Sequence, residues 1–482
     1  MTQANAETSP AGLFGDDDFL RVERRGLEPV PDEKRHGHPR ELFWIWAAAL
    51  ADFFSILAGA LLVQTVGLGV GDAILVLLAG ALAGALLLGP MSVTGVRSGL
   101  PQIVYSRLAF GRRGAYVGGL LTLLIAIGWF SYDCAIAVYT AQALPVFGGG
   151  APAPVIALML VAMVAGCIAV AVFGHRTITI VQTVQAPAFM ALCVVVFAVL
   201  LPRFHPGLRS QLHGWPHLAA MLLGFTATFA LIVSWVTYAA DYSRYLPRRT
   251  AALPVGLYSG LGSIATLAGC GILGVLVQSI DPRADLAHLI VGGLPVWLAW
   301  VFVAFIVVAE MSSNYLNVYT AALSGLAIGL PMRRWLAALV VGLLGGAFAA
   351  WILVRFEQTG GNFVVDYLNF LTVTYVWFPA WCVIVLLDFW RRRQATTWGW
   401  VEGVRWPALA AFALGTLATL AFYNQRGTGG PFTGLGSSAL FKDGVADVSG
   451  FVGVAATVAL ALVLTRPGAG QAGAAASMDP AA

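Results

Sequence analysis

The stretch GWFSYDCAIAVYT, Gly128–Thr140, lies deep inside a long apolar segment and carries a carboxylate there. Trp129 and Asp133 are four residues apart, so on a helix they project from one face. The result is a flat aromatic surface with a carboxylate about one turn along. An acid at this depth in a membrane span costs roughly 2.5–3.5 kcal/mol on insertion scales. A cost of that size signals a polar cavity, a partner or a proton path.

The surrounding composition makes the membrane reading the natural one. The chain has 482 residues, 59% of them hydrophobic and only 10% charged. Its mean hydropathy is +0.82, and soluble domains carry roughly 25% charged residues. Apolar runs of the ~20 residues needed to cross a bilayer as helix recur along the chain. They are continuous and do not alternate, which argues against a β-barrel. The expected fold class is therefore an all-α polytopic membrane protein.

Twelve spans are expected, near 41–66, 72–94, 115–143, 153–173, 177–201, 219–240, 252–280, 296–325, 334–354, 362–388, 405–424 and 449–465. The fifth carries Pro187, which spanning helices tolerate better than soluble ones. The divisions are a tail over 1–40, a core of ten spans over 41–388, two more spans over 389–465 and a tail over 466–482. The first tail is polar and charged, with no cleavable signal peptide. The last is low-complexity and reads as disordered, as does the early part of the first.

Arginine distribution orients the chain. Arg97, Arg107, Arg112 and Arg113 lie between spans two and three. Loops of the same parity hold Arg176, then Arg244, Arg248 and Arg249, then Arg333 and Arg334, then Arg391, Arg392 and Arg393. The opposite loops hold Arg203, Arg209, Arg283, Arg355, Arg426 and Lys442, more thinly spread. The positive-inside rule then puts both termini in the cytoplasm.

The formal charge of +4 does not imply nucleic acid, because no basic and aromatic patch forms a surface for it. The five cysteines have no metal-ligand spacing and read as small packing residues. No G-x-x-x-x-G-K-[ST] loop, H-E-x-x-H or nucleophile turn is present, so neither a built-in ATPase nor an enzyme active site is expected.

Polar groups inside the spans mark a candidate site. Asp52 sits near the middle of span one with Ser55 three residues on, and Gly59 beyond is a candidate break point. Asp52 faces a cavity or bonds a neighbouring helix. Span six contains Ser234, Trp235 and Tyr238 and ends in DYSRYLP, Asp241–Pro247, which reads as an interface anchor. Span eight is the most polar. Ala309, Ser312 and Ser313 share one face, and Glu310, Asn314 and Asn317 a neighbouring one. Interhelical bonding needs fewer groups than this, so a bound ion or heterocycle is expected. Span ten holds Asn362, Asp366, Asn369, Thr372, Thr374, Trp377 and Pro379, either a gate or a Pro-kinked packing helix.

Several blocks together resemble the nucleobase–cation symporter-1 family, in its purine–cytosine permease branch. They are VERRGLEPVPDEKR at Val22–Arg35, LFWIW at Leu42–Trp46 and SGLPQIVYSRLAFGRRG at Ser98–Gly114. GWFSYD in span three, SWVTYAADYSRYLP ending span six and SSNYLNVY in span eight complete the set. The resemblance implies a leucine-transporter-like fold: two inverted five-helix repeats, then two extra helices. It implies an aromatic residue that stacks on the base, at Trp129, and an edge-reading partner at Asp133, where an amide is usual. An ionised acid accepts but cannot donate, which favours a donor-rich edge such as cytosine's amino group, or a protonated carboxyl. The span-six aromatic falls on Trp235. The span-eight substrate residue falls on Asn317, or on Asn314, and a sodium site on Ala309, Ser312 and Ser313.

The expected function is thus a symporter of the cell membrane, importing a purine or pyrimidine base, cytosine or a related purine, by alternating access. The coupling ion is Na⁺ or H⁺, no other cofactor is expected, and the partners are the base and membrane lipid. The alternatives are a passive facilitator or channel, or carriage of allantoin, hydantoin, uracil or thiamine.

Overall fold

The computed structural model describes residues 20, 22, 23, 25–148, 150–359, 363–392, 399–425, 432–440 and 446–465. The early N-terminal tail, Asn362, Arg393, Arg426, Lys442 and the tail from Arg466 lie outside the described residues. Within them the chain is helical. In order the helices are α1 (Arg40–Ala49), α2 (Phe53–Gln64), α3 (Val70–Ser98), α4 (Gln102–Phe110), α5 (Ala115–Gln142) and α6 (Ala153–Phe173). Next come α7 (His175–Leu200), α8 (Gly214–Val233), α9 (Ala239–Ser243), α10 (Ala252–Gln278), α11 (Leu286–Gly293) and α12 (Val296–Ala327). The last are α13 (Arg334–Thr359), α14 (Phe363–Tyr375), α15 (Phe378–Arg391), α16 (Trp406–Phe422), α17 (Leu435–Leu440) and α18 (Ser449–Leu464). Among the described residues 9 spans are long and apolar enough to cross a membrane, or 10 when the bent pair α1 and α2 is counted as one. The apolar helices α16 and α18 are shorter.

Three expected spans are interrupted. Span one is two helices bent by 60°. Its break runs through Leu50–Asp52, and Asp52 is the N-cap of α2, accepting from the Ser55 backbone N–H at 2.8 Å. An Asp in that place satisfies a helix-end donor, which explains why the chain stops and restarts there. Gly59, the break point suggested by its residue type, lies inside α2. It serves packing instead: a Cβ there would fall 1.8 Å from the carbonyl oxygen of Gly271 on α10. Small residues let two spanning backbones approach this closely. Span six gives way after Val233 to a 3₁₀ turn over Val236–Tyr238 and then to α9. Span ten divides between α14 and α15, with Pro379 in the first turn of α15. The helix of span five runs unbroken through Pro187.

The broken spans one and six are each the first of a set of five. That placement is the mark of a repeated architecture with a site at the breaks. The helices sort into two groups. α1, α2, α3, α8 and α10 pack on one another, and α5, α6, α12 and α13 form a second set. α14 touches both α8 and α5, while α16 and α18 pair with each other.

The link between spans two and three is not a free loop. α4 fills it, all nine residues buried, and Gln102 N–H donates to Asp241. Arg107 there is buried and donates to the Ala327 carbonyl at 3.0 Å, the C-terminal end of α12, where a cation meets the negative end of the helix dipole.

The DYSRYLP segment is also buried through Leu246, contrary to the expected interface anchor. Arg244 is 0% exposed. Its guanidinium lies 3.7 Å from the carboxylate of Glu23 and donates to the hydroxyls of Tyr245 and Tyr319 at 3.0 Å each. Arg334 donates to the Glu23 backbone carbonyl. Glu23 is thereby tied to residues at the ends of α7, α9, α12 and α13. Burial alone would push the Glu23 carboxyl up, but Arg334 and Arg244, with the Tyr245 hydroxyl and His175 backbone N–H, hold it below the usual carboxylate range.

Candidate functional site

The break in span one, the turn in span six and the middles of α5 and α12 meet. A break frees backbone donors and acceptors, and these must find partners where water is absent. Asp52 and Glu310 supply two. Glu310, on α12, accepts from the Phe53 backbone N–H at 2.8 Å, at the first residue of α2.

Asn317 ties the other elements together. Its Nδ2 donates to Asp133 Oδ2 at 3.1 Å and to Asn314 Oδ1 at 3.1 Å. Its Oδ1 accepts from the Tyr238 hydroxyl at 3.0 Å. A single side chain thus joins span six, span eight and span three. Asn314 faces the scaffold instead, donating to the Phe130 carbonyl at 3.2 Å. The i, i+3 spacing puts both amides on one side of α12, with Asn317 nearer Asp133.

Trp129 lies edge-on to three rings: Phe54 at 6.0 Å, Tyr367 at 6.0 Å and Phe370 at 5.3 Å between centroids. Its indole Nε1 is buried without a hydrogen-bond partner. Trp235 starts the 3₁₀ turn of span six and meets Trp46 of α1 at 6.2 Å and Tyr238 at 5.1 Å. The two indoles sit on opposite groups of helices. Edge-to-face packing leaves ring faces for a planar partner to stack on.

Of the span-eight hydroxyls, Ser313 reaches the break. Ser313 Oγ reaches the Ala49 carbonyl, at the end of α1, at 3.4 Å. Ser312 Oγ is buried without a partner. Ala309 is fully buried one turn earlier. A hydroxyl beside a carbonyl that its own helix no longer uses supplies suitable oxygens for a small cation. Ser55 Oγ, at the start of α2, is likewise buried without a partner.

Sequence reading missed Tyr238 as a partner of Asn317, and Phe54, Tyr367 and Phe370 as the walls of Trp129. Tyr238 carried a signal, standing three residues after Trp235 in a polar helix end. The walls of Trp129 carried none, since Phe and Tyr in apolar spans are ordinary packing residues. Glu310 was visible as an acid but not as the group that holds the break.

A family model described as "Permease for cytosine/purines, uracil, thiamine, allantoin" matches residues 29–453. The chain belongs to this permease family. Among its relatives is the putative purine-cytosine permease YxlA of Bacillus subtilis, 27% identical over 468 residues, covering 93% of this chain and 97% of that protein. The purine-cytosine permease FCY21 of Saccharomyces cerevisiae is 25% identical over 380 residues, 74% of this chain and 70% of the yeast protein. Among solved structures, Mhp1, a nucleobase-cation-symport-1 family transporter in a closed conformation with bromovinylhydantoin bound, superposes with a TM-score of 0.70. It is 18% identical and the match covers 93% of this chain and 95% of Mhp1. A Na⁺-coupled sialic acid symporter in an outward-open state gives a TM-score of 0.60 at 11% identity, covering 89% of each chain. These likenesses establish the fold as the one expected for this permease family.

Proposed function

We propose that this permease is a secondary-active symporter importing a purine or pyrimidine base, cytosine or a related purine, together with a cation. The observation that carries the reading is the junction of Trp129, Asp133, Asn317 and Tyr238, where two interrupted spans meet two continuous ones. A planar base needs a ring to stack on and an edge partner. Trp129 offers the first, with Trp235 from the opposite helix group. Asp133 and Asn317 offer the second. Asp133, while ionised, accepts from an exocyclic amino group or ring N–H, and the Asn317 amide both donates and accepts.

The cation binds at Ser312 and Ser313, with the carbonyls of Ala309 and of the end of α1. It joins the two helix groups, stabilises the outward-open site and leaves with the base on the cytoplasmic side. Alternating access follows from rocking of one group against the other about the breaks, as in other transporters with interrupted spans. Residues 41–388 are the transporting core and 389–465 two additional helices. The Arg-rich loops support an orientation with both termini in the cytoplasm. The polar groups serve passage, and no enzymatic step is assigned to them.

Radiolabelled cytosine uptake in cells expressing the chain tests this. Wild type concentrates cytosine, and Asp133→Ala abolishes that uptake at unchanged surface expression. Normal uptake by the variant removes Asp133 from the site. Counterflow without accumulation in wild type replaces the symporter by a facilitator.

A further inference from the structure

A cavity of about 1130 Å³ opens where the end of α12 and the start of α13 meet α4 and the N-terminal segment. It is separate from the junction of Trp129, Asp133 and Asn317, none of which lines it. Its wall carries four guanidiniums, Arg107, Arg112, Arg333 and Arg334, and two carboxylates, Glu23 and Glu28. Both carboxylates are engaged by the protein. Glu23 lies 3.7 Å from the Arg244 guanidinium, and Glu28 accepts from the Gly26 backbone N–H at 2.8 Å. Behind the wall, Glu402 pairs with Arg112 at 2.9 Å. With Arg244 and Glu402 counted, positive charge is still in excess among the described residues.

Arginines on loops are ordinary in a membrane protein, but two of these are withdrawn from water. Arg107 is 9% exposed and Arg334 3%. Arg334 is spent on the backbone carbonyls of Glu23, Ala171 and Val172. Arg107 is not spent. One Nη donates to the Ala327 carbonyl, while its Nε is buried with no partner. Burial and the neighbouring Arg112 push its guanidinium below the usual range, so an anion in the cavity would favour its charged form. A guanidinium fork matches a phosphate better than it matches any single-oxygen acceptor.

The rest of the wall names the molecule that carries the phosphate. Leu100, Val104 and Leu326 make it apolar. Leu330 and Trp335 also line it and are 41% and 38% exposed. Trp335 stands in the first turn of α13, a spanning helix, and a Trp at such a helix end marks the headgroup level of a bilayer. Guanidiniums beside apolar walls at that depth suit an amphiphile with a phosphate head. Basic pockets between spanning helices take such heads.

We propose that this cavity binds the phosphate headgroup of an anionic phospholipid, held by Arg107, Arg112 and Arg333, with an acyl chain leaving past Leu330 and Trp335. The lipid joins α4 to the ends of α12 and α13. The site is independent of which base or cation the permease carries.

Native mass spectrometry of the full chain released from detergent tests this, with phosphatidylglycerol and phosphatidylcholine of the same acyl chains titrated separately. Wild type retains one phosphatidylglycerol about tenfold more tightly than phosphatidylcholine, whose choline brings a cation among the guanidiniums. Arg107→Gln weakens phosphatidylglycerol about tenfold, the worth of a hydrogen bond to a charged group, and leaves phosphatidylcholine unchanged. Arg107 also holds the Ala327 carbonyl, so a second variant combines Arg112→Gln with Arg333→Gln at more exposed positions and shifts affinity the same way. Equal retention of the two lipids by wild type overturns the proposal, and so does wild-type affinity for phosphatidylglycerol in the variants. Inorganic phosphate at the lipid's own concentration leaves the lipid bound. Displacement by it makes the site one for free phosphate and overturns the lipid assignment. None of these readouts involves transport, so their failure leaves the symporter reading untouched.

Discussion

At the scale of single residues, Asp133 stands where the family resemblance implies an amide, and an acid in that place has a readable consequence. Asn317 Nδ2 already donates to Asp133 Oδ2, so one oxygen is oriented by the protein. Asp133→Asn keeps the shape but adds a donor where the acid had only acceptors. Competition of uptake by a panel of bases checks the effect. Cytosine, whose edge presents an amino group, should lose about tenfold in affinity, the worth of one mispaired buried hydrogen bond. Bases presenting an oxo group should gain relative to it. Unchanged relative affinities contradict an edge-reading role. That Asp133 and Asn317 meet was foreshadowed in the sequence, because an acid and an amide are expensive inside a span and therefore conspicuous. Tyr238 was not, because its hydroxyl meets Asn317 only through the turn that interrupts span six. A turn of that kind is a tertiary event, and the polar residues around Tyr238 mark a helix end without naming its partner.

At the scale of elements, the broken span one depends on close packing of α2 against α10. Gly59→Val puts side-chain atoms onto the Gly271 carbonyl. Overpacking of this kind costs about 1–3 kcal/mol, and more where backbone must shift. A fall in melting temperature of the detergent-solubilised protein, with cytosine uptake lowered in step, is the expected outcome. Wild-type stability would show that α2 and α10 can separate freely. The sequence reading took this glycine for a break because glycine signals both flexibility and close approach, and only the packed neighbour decides between them.

The contacts of Glu23 are held by a different physics. Glu23 has a depressed folded-state titration because guanidiniums outweigh its burial. Such an acid contributes stability above the ordinary carboxylate range and loses it as pH falls through the depressed value. Glu23→Gln leaves Arg244 without its carboxylate. Breaking a buried pair costs about 3–5 kcal/mol, so the variant melts lower at neutral pH and loses less on acidification than wild type does. Melting curves between neutral and acid pH measure both effects. Equal acid sensitivity in the two proteins removes Glu23 from the linkage. The charged DYSRYLP block looked like a surface anchor because its companion acid lies more than two hundred residues away in the chain.

For the molecule as a whole, the spans were largely legible because apolar length is a one-dimensional property. The shorter apolar helices α16 and α18 follow the same signal. What hydropathy cannot carry is how the spans group. The division into a set around α10 and α3 and a set around α12 and α5 emerges only from packing. In the proposed reading, that division lets the two helix groups rock about the breaks of spans one and six. The central claim is that this arrangement concentrates a base through Asp133. Its most direct measurement is radiolabelled cytosine accumulation in proteoliposomes holding wild type or Asp133→Ala, with an inward cation gradient imposed. The account predicts accumulation above the external concentration for wild type and none for the variant. Equal accumulation by both, or equilibration without accumulation in wild type, would contradict it.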